Sequence, residues 1–186
     1  MISTNDMRPG QTLDLDGELF SIIKYEHHKP GKGGAMVRTK LKSIKNGAVV
    51  ERTFRADEKV NLARLDKREM QYLYSDETGY IFMDNETFDQ ITIEKDFLGD
   101  MAGFLKEEQV VVVQLYQGTP IGIDLPPTVE LVVTETDPGL QGDRSSAGNK
   151  PAVVETGATV MVPLFLQQGE TIRVDTRTGQ YVTRVK

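Results

Sequence analysis

The chain has no cysteine among its 186 residues, which excludes disulfides and thiolate chemistry and agrees with a cytoplasmic protein. No apolar run approaches the roughly 18 residues of a membrane span. The N-terminus, MISTNDMRPG, lacks the basic region followed by an apolar core that a secretory signal needs. A soluble protein with no membrane partner is therefore expected. Histidine is scarce: only His27 and His28 are present, and neighbours on a strand point to opposite faces, which argues against a shared metal site. Carboxylates are plentiful, yet none form an isolated pair in an apolar setting of the kind that acid-base work requires. With no catalytic constellation and no cofactor motif, the chain reads as something other than an enzyme.

What is present is charge, unevenly placed. Residues 1–64 carry 12 Lys+Arg against 8 Asp+Glu, a balance of +4; residues 65–127 carry 4 against 13, or −9; residues 128–186 carry 6 against 7, or −1. Only the first third is basic. A basic block joined to an acidic one can address phosphate locally while the remainder avoids indiscriminate sticking to nucleic acid. Ordinary solvated surface charge accounts for the same numbers.

Alternation dominates the chain. TLDLDGELFSIIKY reads as two strands around Asp16 and Gly17. In AMVRTKLKSIKNGAVVERTF, Val37, Thr39 and Leu41 share one face and Arg38, Lys40 and Lys42 the other, before a tight turn expected at Asn46-Gly47. The second block holds a hairpin around Asp76 to Gly79 and another around Gly118. Between them, KDFLGDMAGFLKEE places Phe97, Leu98, Met101, Phe104 and Leu105 at helical spacing. Strands, one short helix, then strands is the order of an OB-type barrel. Pro126-Pro127 interrupts the ladder, and the strands that follow, spaced by Gly157, Gly169 and Gly179, read as a second small barrel. A mainly β protein of three domains is expected, at 1–64, 65–127 and 128–186.

The stretch HHKPGKGGAM, residues 27–36, sets a lysine in a bare loop. It is not a Walker A loop, because Glu26 stands where the first glycine belongs and Gly33 follows Lys32. It is not the dinucleotide fingerprint either, since the third glycine is missing and no helix opens. What remains is a hairpin tip: Pro30 fixes its own φ, the glycines permit unusual backbone, and no large side chain crowds Lys32. A long cation is held out on a narrow projection. An ordinary exposed hairpin would use the same residues.

KPGKG at the tip, YLY and FMDNETF in the middle block, and DPGLQGD, VPLF and DTRTGQYVTRVK in the third resemble the motifs of bacterial elongation factor P, in order and over the whole chain. The resemblance implies an SH3-like, KOW-type first domain and two OB-type domains in an elongated L that mimics tRNA. It implies a translation elongation factor that binds the 70S ribosome between the peptidyl-tRNA and exit sites. There it stimulates peptide bond formation at consecutive prolines. Lys32 matches the tip lysine that many members modify after translation and that approaches the CCA end of peptidyl-tRNA, which adds a lysine-modifying enzyme to the partners. Lys29, Pro30, Gly31, Gly33 and Gly34 would support it, and Lys29, Arg38, Lys40 and Lys42 are candidate RNA contacts. In the third block, Gly142, Asp143 and Arg144 match a loop that reaches toward the exit-site codon of the mRNA, and Tyr181 and Arg184 match positions near the small subunit and tRNA. Family members commonly carry Thr where this chain has Arg144, and Gly-Gly where it has Ala147-Gly148. A monomer is expected.

Two other classes fit the residues less closely. One is a KOW and OB module bound to ribosomal RNA or to the transcription machinery, with Lys32 as one phosphate contact among several. The other is a nucleic-acid enzyme, for which no nucleophile, metal cluster or base is evident.

Overall fold

The computed structural model describes residues 1–29, 31, 33–138 and 148–186. The chain is mainly β and divides into two compact units, 1–67 with 114–122, and 68–113 with 123–186. No helix among the described residues is long and apolar enough to cross a membrane.

The first sheet is built from β1 (Ile2–Ser3), β2 (Thr12–Leu15), β3 (Glu18–His28), β4 (Met36–Ser43), β5 (Val49–Arg55) and β6 (Lys59–Leu62), in the order β1-β6-β2-β3-β4-β5. Met7, Leu13, Ile22, Val37, Leu41, Phe54 and Val60 make its core. The β2–β3 hairpin turns at Asp16 and Gly17, whose φ values of 56° and 86° are those of the tight turn read from the sequence. The Asn46-Gly47 turn is longer than expected. Ser43 and Ala48 close it through Ser43 N–H to Ala48 O at 2.8 Å, and Gly47 N–H reaches back to Ser43 O at 2.9 Å. Only Gly47 takes positive φ there, while the Asn46 carboxamide accepts from Ala48 N–H at 3.0 Å. Asn46 thus acts through its side chain rather than through a left-handed backbone.

The second sheet comprises β7 (Asp66–Ser75), β8 (Tyr80–Asp84), β9 (Gln90–Ile93), β10 (Val110–Tyr116) and β11 (Thr119–Asp124), ordered β11-β10-β7-β8-β9. The third comprises β12 (Thr128–Thr136), β13 (Asn149–Val154), β14 (Thr159–Pro163), β15 (Thr171–Asp175) and β16 (Tyr181–Val185), ordered β14-β13-β12-β15-β16. Numbered within each block, both orders run 3-2-1-4-5, the five-stranded OB arrangement. In the third sheet the outermost strands β14 and β16 also approach each other. There β12 pairs with β15 over residues 128–132 and with β13 from Val133 to Thr136, across an irregularity between Val133 and Glu135. One bent strand therefore serves both halves.

The helical segment is shorter than its apolar spacing suggests. Helix α1 spans Lys95–Leu98 and ends where Gly99 takes φ 50° and ψ −129°; a 3-10 segment continues over Gly99–Phe104. The pattern still buries Leu98 and Leu105, and it delivers Phe104 to the core of the third sheet. There the Thr156 hydroxyl donates to Gly103 O at 2.6 Å. At the proline pair, which cannot donate, the carbonyls accept instead: Thr176 Oγ1 donates to Pro126 O at 2.6 Å and Thr176 N–H to Pro127 O at 3.0 Å. Removing the fully buried Phe82 ring by Phe82→Ala should cost about 3–5 kcal/mol in denaturant unfolding.

Three aspartates organise turns by accepting backbone N–H groups. Asp84 accepts from Glu86 N–H at 2.8 Å and Thr87 N–H at 3.1 Å, and its second oxygen takes Arg68 at 3.1 Å. Asp175 accepts from Arg177 N–H at 2.8 Å, and Asp76 from Thr78 N–H at 2.8 Å. All three carboxyls lie below the usual carboxylate range. The largest cause is the Glu86 N–H for Asp84, the Arg177 N–H for Asp175 and the Thr78 hydroxyl for Asp76. Since the folded values lie below the unfolded ones, the stabilisation is complete above about pH 4 and is lost as pH falls through the folded values. Thermal melts should accordingly weaken steadily below about pH 4, and Asp84→Asn, which cannot ionise, should flatten part of that loss.

Candidate functional site at the first hairpin

The hairpin that presents residues 29–35 is the long ladder between β3 and β4. Their register runs from Phe20 opposite Ser43 to His28 opposite Met36. β5 supports β4 to the same level, with Met36 opposite Arg55, and Ala56 N–H donates to Ala35 O at 2.9 Å. On the other side, β2 pairs with β3 only as far as Ser21, and the chain before it adds Gly10 N–H to Ile22 O and Ile22 N–H to Gln11 O. From Lys24 onward β3 has β4 as its only ladder partner among the described residues.

The register slips between Ile22 and Lys24, leaving Ile23 as an extra, exposed residue. A bulge of this kind changes which face every later side chain takes. Strict alternation from the buried Ile22 would send Lys24, Glu26 and His28 to the core. Instead Lys24 stands opposite Lys40 and Glu26 opposite Arg38, while Tyr25 stands opposite the buried Thr39 and His27 opposite the buried Val37. The Tyr25 hydroxyl, on the inner side, donates to Asn5 O at 3.3 Å.

The outer face therefore holds mixed charge. Arg38, Lys40 and Lys42 are exposed between Val37, Thr39 and Leu41, which are fully buried. The neighbouring strands add carboxylates that the β4 sequence does not reveal. Lys40 Nζ lies 3.3 Å from Glu51 and Lys24 Nζ 2.6 Å from Glu26. The Lys24 contact, by hydrogen bond first and charge second, holds the Glu26 carboxyl down and the Lys24 ammonium up. Arg38 and Lys42 form no ion pair among the described residues. Lys42 is the least compensated of the three β4 cations, since Arg38 stands opposite Glu26 and acts on its carboxyl. Arg52, with its guanidinium 5.6 Å from the centre of the Phe54 ring, is a further cation of this sheet that alternation on β4 alone did not bring out. The register sets it opposite the buried Thr39, on the other face of the sheet from Arg38, Lys40 and Lys42.

At the loop itself, Pro30 and Lys32 lie outside the described residues. Lys29, Gly31, Gly33 and Gly34 are all exposed. A Cβ at Gly31 or Gly34 would meet nothing, whereas Gly33 has φ 138°, a conformation closed to most L side chains. Only Gly33 is demanded by the backbone. Gly33→Ala should strain the tip by about 1–3 kcal/mol, read as reduced amide protection at His28 and Met36. Gly31→Ala and Gly34→Ala should stay within about 0.5 kcal/mol of the parent.

Gly142, Asp143 and Arg144, and with them Ala147, also lie outside the described residues. The flanks are well anchored: the buried Lys150 ammonium donates to Asp137 O and, at 2.5 Å, to Leu166 O. The Thr136 hydroxyl donates to Pro151 O at 3.0 Å. Tyr181 packs against the third core, and Arg184 pairs with Glu170 at 3.0 Å while lying 5.8 Å from the centre of the Phe165 ring. Both side chains have structural duties in addition to any contact with a partner. Among the described residues no cluster of His, Asp and Glu is arranged to hold a metal.

Comparison with known proteins assigns each block. Residues 3–60 match the family model "Elongation factor P (EF-P) KOW-like domain", residues 65–123 the "Elongation factor P (EF-P) OB domain", and residues 129–184 "Elongation factor P, C-terminal". The chain is 53% identical over 184 residues to the elongation factor P of Moorella thermoacetica, covering 99% of this chain and 100% of that one. It is 54% identical over 185 residues to that of Coprothermobacter proteolyticus, covering all of both. In fold it is similar to eukaryotic translation initiation factor 5A from Methanococcus jannaschii, with a TM-score of 0.58 at 22% identity over 67% of this chain and 91% of that one.

Proposed function

The chain belongs to the elongation factor P family, a family of translation factors, and on that premise we propose that it relieves ribosomes stalled at consecutive prolines. It binds the 70S ribosome between the peptidyl-tRNA and exit sites, and Lys32 reaches the CCA end of peptidyl-tRNA. The observation that carries this reading is the β3–β4 ladder, which ends in KPGKG and has cations along its outer face. Division into domains at 1–64, 65–127 and 128–186 belongs to the same proposal, as do a cytoplasmic location and a monomeric state.

The chemistry follows from what proline lacks. Its ring restricts both the nascent chain and the attacking amine. Reaction on the ribosome needs a near-attack geometry, where a misplacement of about 1 Å can cost roughly a hundredfold in rate. An ammonium on a slim arm can hold the tRNA backbone by its phosphates without entering the bond-making step. Lys32 is then an electrostatic and entropic aid, and RNA does the catalysis. Arg38 and Lys42, with Lys29, steady the approach; Lys40 contributes less because Glu51 shares its charge. Residues 142–144, Tyr181 and Arg184 face the small subunit, the exit-site codon and the tRNA. A dedicated enzyme modifies Lys32 and lengthens its reach.

In a reconstituted system translating a Pro-Pro-Pro reporter, Lys32→Ala should return the rate to that of ribosomes without factor, while melting temperature and ribosome binding stay near those of the parent. Equal synthesis with mutant and parent would sink the proposal. Intact mass of protein from its native host should exceed the bare sequence by one group on Lys32.

A further inference from the structure

The turn between β8 and β9 carries FMDNETF, a motif that the tip lysine and its hairpin leave without a role. Phe88 in it is 70% exposed and takes φ 63°. The other non-glycine residues at positive φ among the described residues are Asp16, Asp57, Glu108 and Gln117, polar side chains that suit turns; a bulky aromatic ring in this conformation is an outlier. The conformation is imposed from beneath. Asp84, buried at the end of β8, accepts the Glu86 and Thr87 N–H groups on one oxygen and Arg68 on the other. Its backbone carbonyl takes Phe88 N–H at 2.9 Å, and its own N–H donates to Asp89 O at 2.9 Å. No ring or cation-π contact involves Phe88 among the described residues. The structure thus holds a mostly exposed apolar ring on a hydrogen-bonded turn, at a conformational cost and, among the described residues, without a ring or cation-π partner. Strain of this kind concentrates at functional positions.

The surroundings identify the chemistry of the partner. Glu86 and Asp89, two positions before Phe88 and one after it, are exposed, and the exposed Glu69 receives Asn85 N–H on its carbonyl at 3.2 Å. Arg68, the nearby cation, is bonded to Asp84. The whole 65–127 block carries −9. An acidic rim repels phosphate, so a nucleobase flanked by its own backbone is a poor occupant. An apolar anchor on a turn with acidic neighbours suits a cleft in a basic protein surface.

We propose that Phe88 is the anchor of a second ribosome contact, inserted into an apolar cleft of a Lys- and Arg-rich ribosomal protein. This rests on the ribosome-binding reading above. The test is Phe88→Asn, because asparagine accepts positive φ readily and relieves the strain. The variant should melt at or above the parent temperature while its affinity for purified 70S ribosomes falls about tenfold, the size of a hot-spot loss. Glu86→Lys should weaken binding as well. With p-benzoylphenylalanine in place of Phe88, irradiation on the ribosome should give an adduct with a protein. Unchanged affinity of Phe88→Asn, a melting temperature that falls together with affinity, or an adduct with ribosomal RNA would each overturn the inference. Failure of the parent to bind ribosomes would instead overturn the reading on which it rests.

Discussion

The bulge at Ile23 is the constraint on which the candidate site depends. One unpaired residue in β3 reverses the side-chain phase of everything toward the tip, so Ile22 closes the core while Lys24 and Glu26 stand on the outer face with Arg38 and Lys40. Without it, two charged residues would point at Val37 and Thr39, and the ladder would have to end near the barrel or bury charge at a cost of several kcal/mol. With it, the ladder continues beyond the reach of β2, and His28 opposite Met36 still pairs. The bulge thus serves both stability and presentation: the core stays apolar, and the segment at residues 29–35 begins from a fixed pair.

The same economy appears in the OB-ordered sheets. Three of their turns each have an aspartate accepting two backbone N–H groups, at Asp76, Asp84 and Asp175. These carboxylates satisfy donors that a short turn cannot pair with its own carbonyls. Asp76 and Asp84 also account for part of the acidity of residues 65–127. At the β8–β9 turn this local order does more than close a hairpin, because it also holds Phe88 in the open.

Charge on a surface has to be counted by face, not by strand. β4 read alone is a cationic stripe; β4 read between β3 and β5 is a cationic stripe with Glu26 and Glu51 set into it. The distinction changes which lysine is available for phosphate, since exposed pairs of this type share charge while adding little stability. Arg184 shows a related effect in the third sheet, where its pairing with Glu170 and its place over Phe165 tie it to its own domain.

Much of this was written in local pattern. Alternation in β2 and β4, the Asp16-Gly17 turn and the proline pair follow from side-chain period and backbone permission, which act over a few residues and so survive in the linear sequence. The resemblance of the motifs supplied the family. Other features were decided only when strands met. The shortened helix at Lys95–Leu98 follows from Gly99 and from docking Phe104 onto another sheet's core; the Glu51 and Glu26 partners depend on register; the reversal at Ile23 depends on which residue is left unpaired. Register and bulges are set by the packing of a whole sheet, where a one-residue slip exchanges core for surface. The sequence by itself therefore determined which residues could form the hairpin and its tip. The tertiary structure decided which way each side chain faces, because facing is a property of pairing and not of the strand.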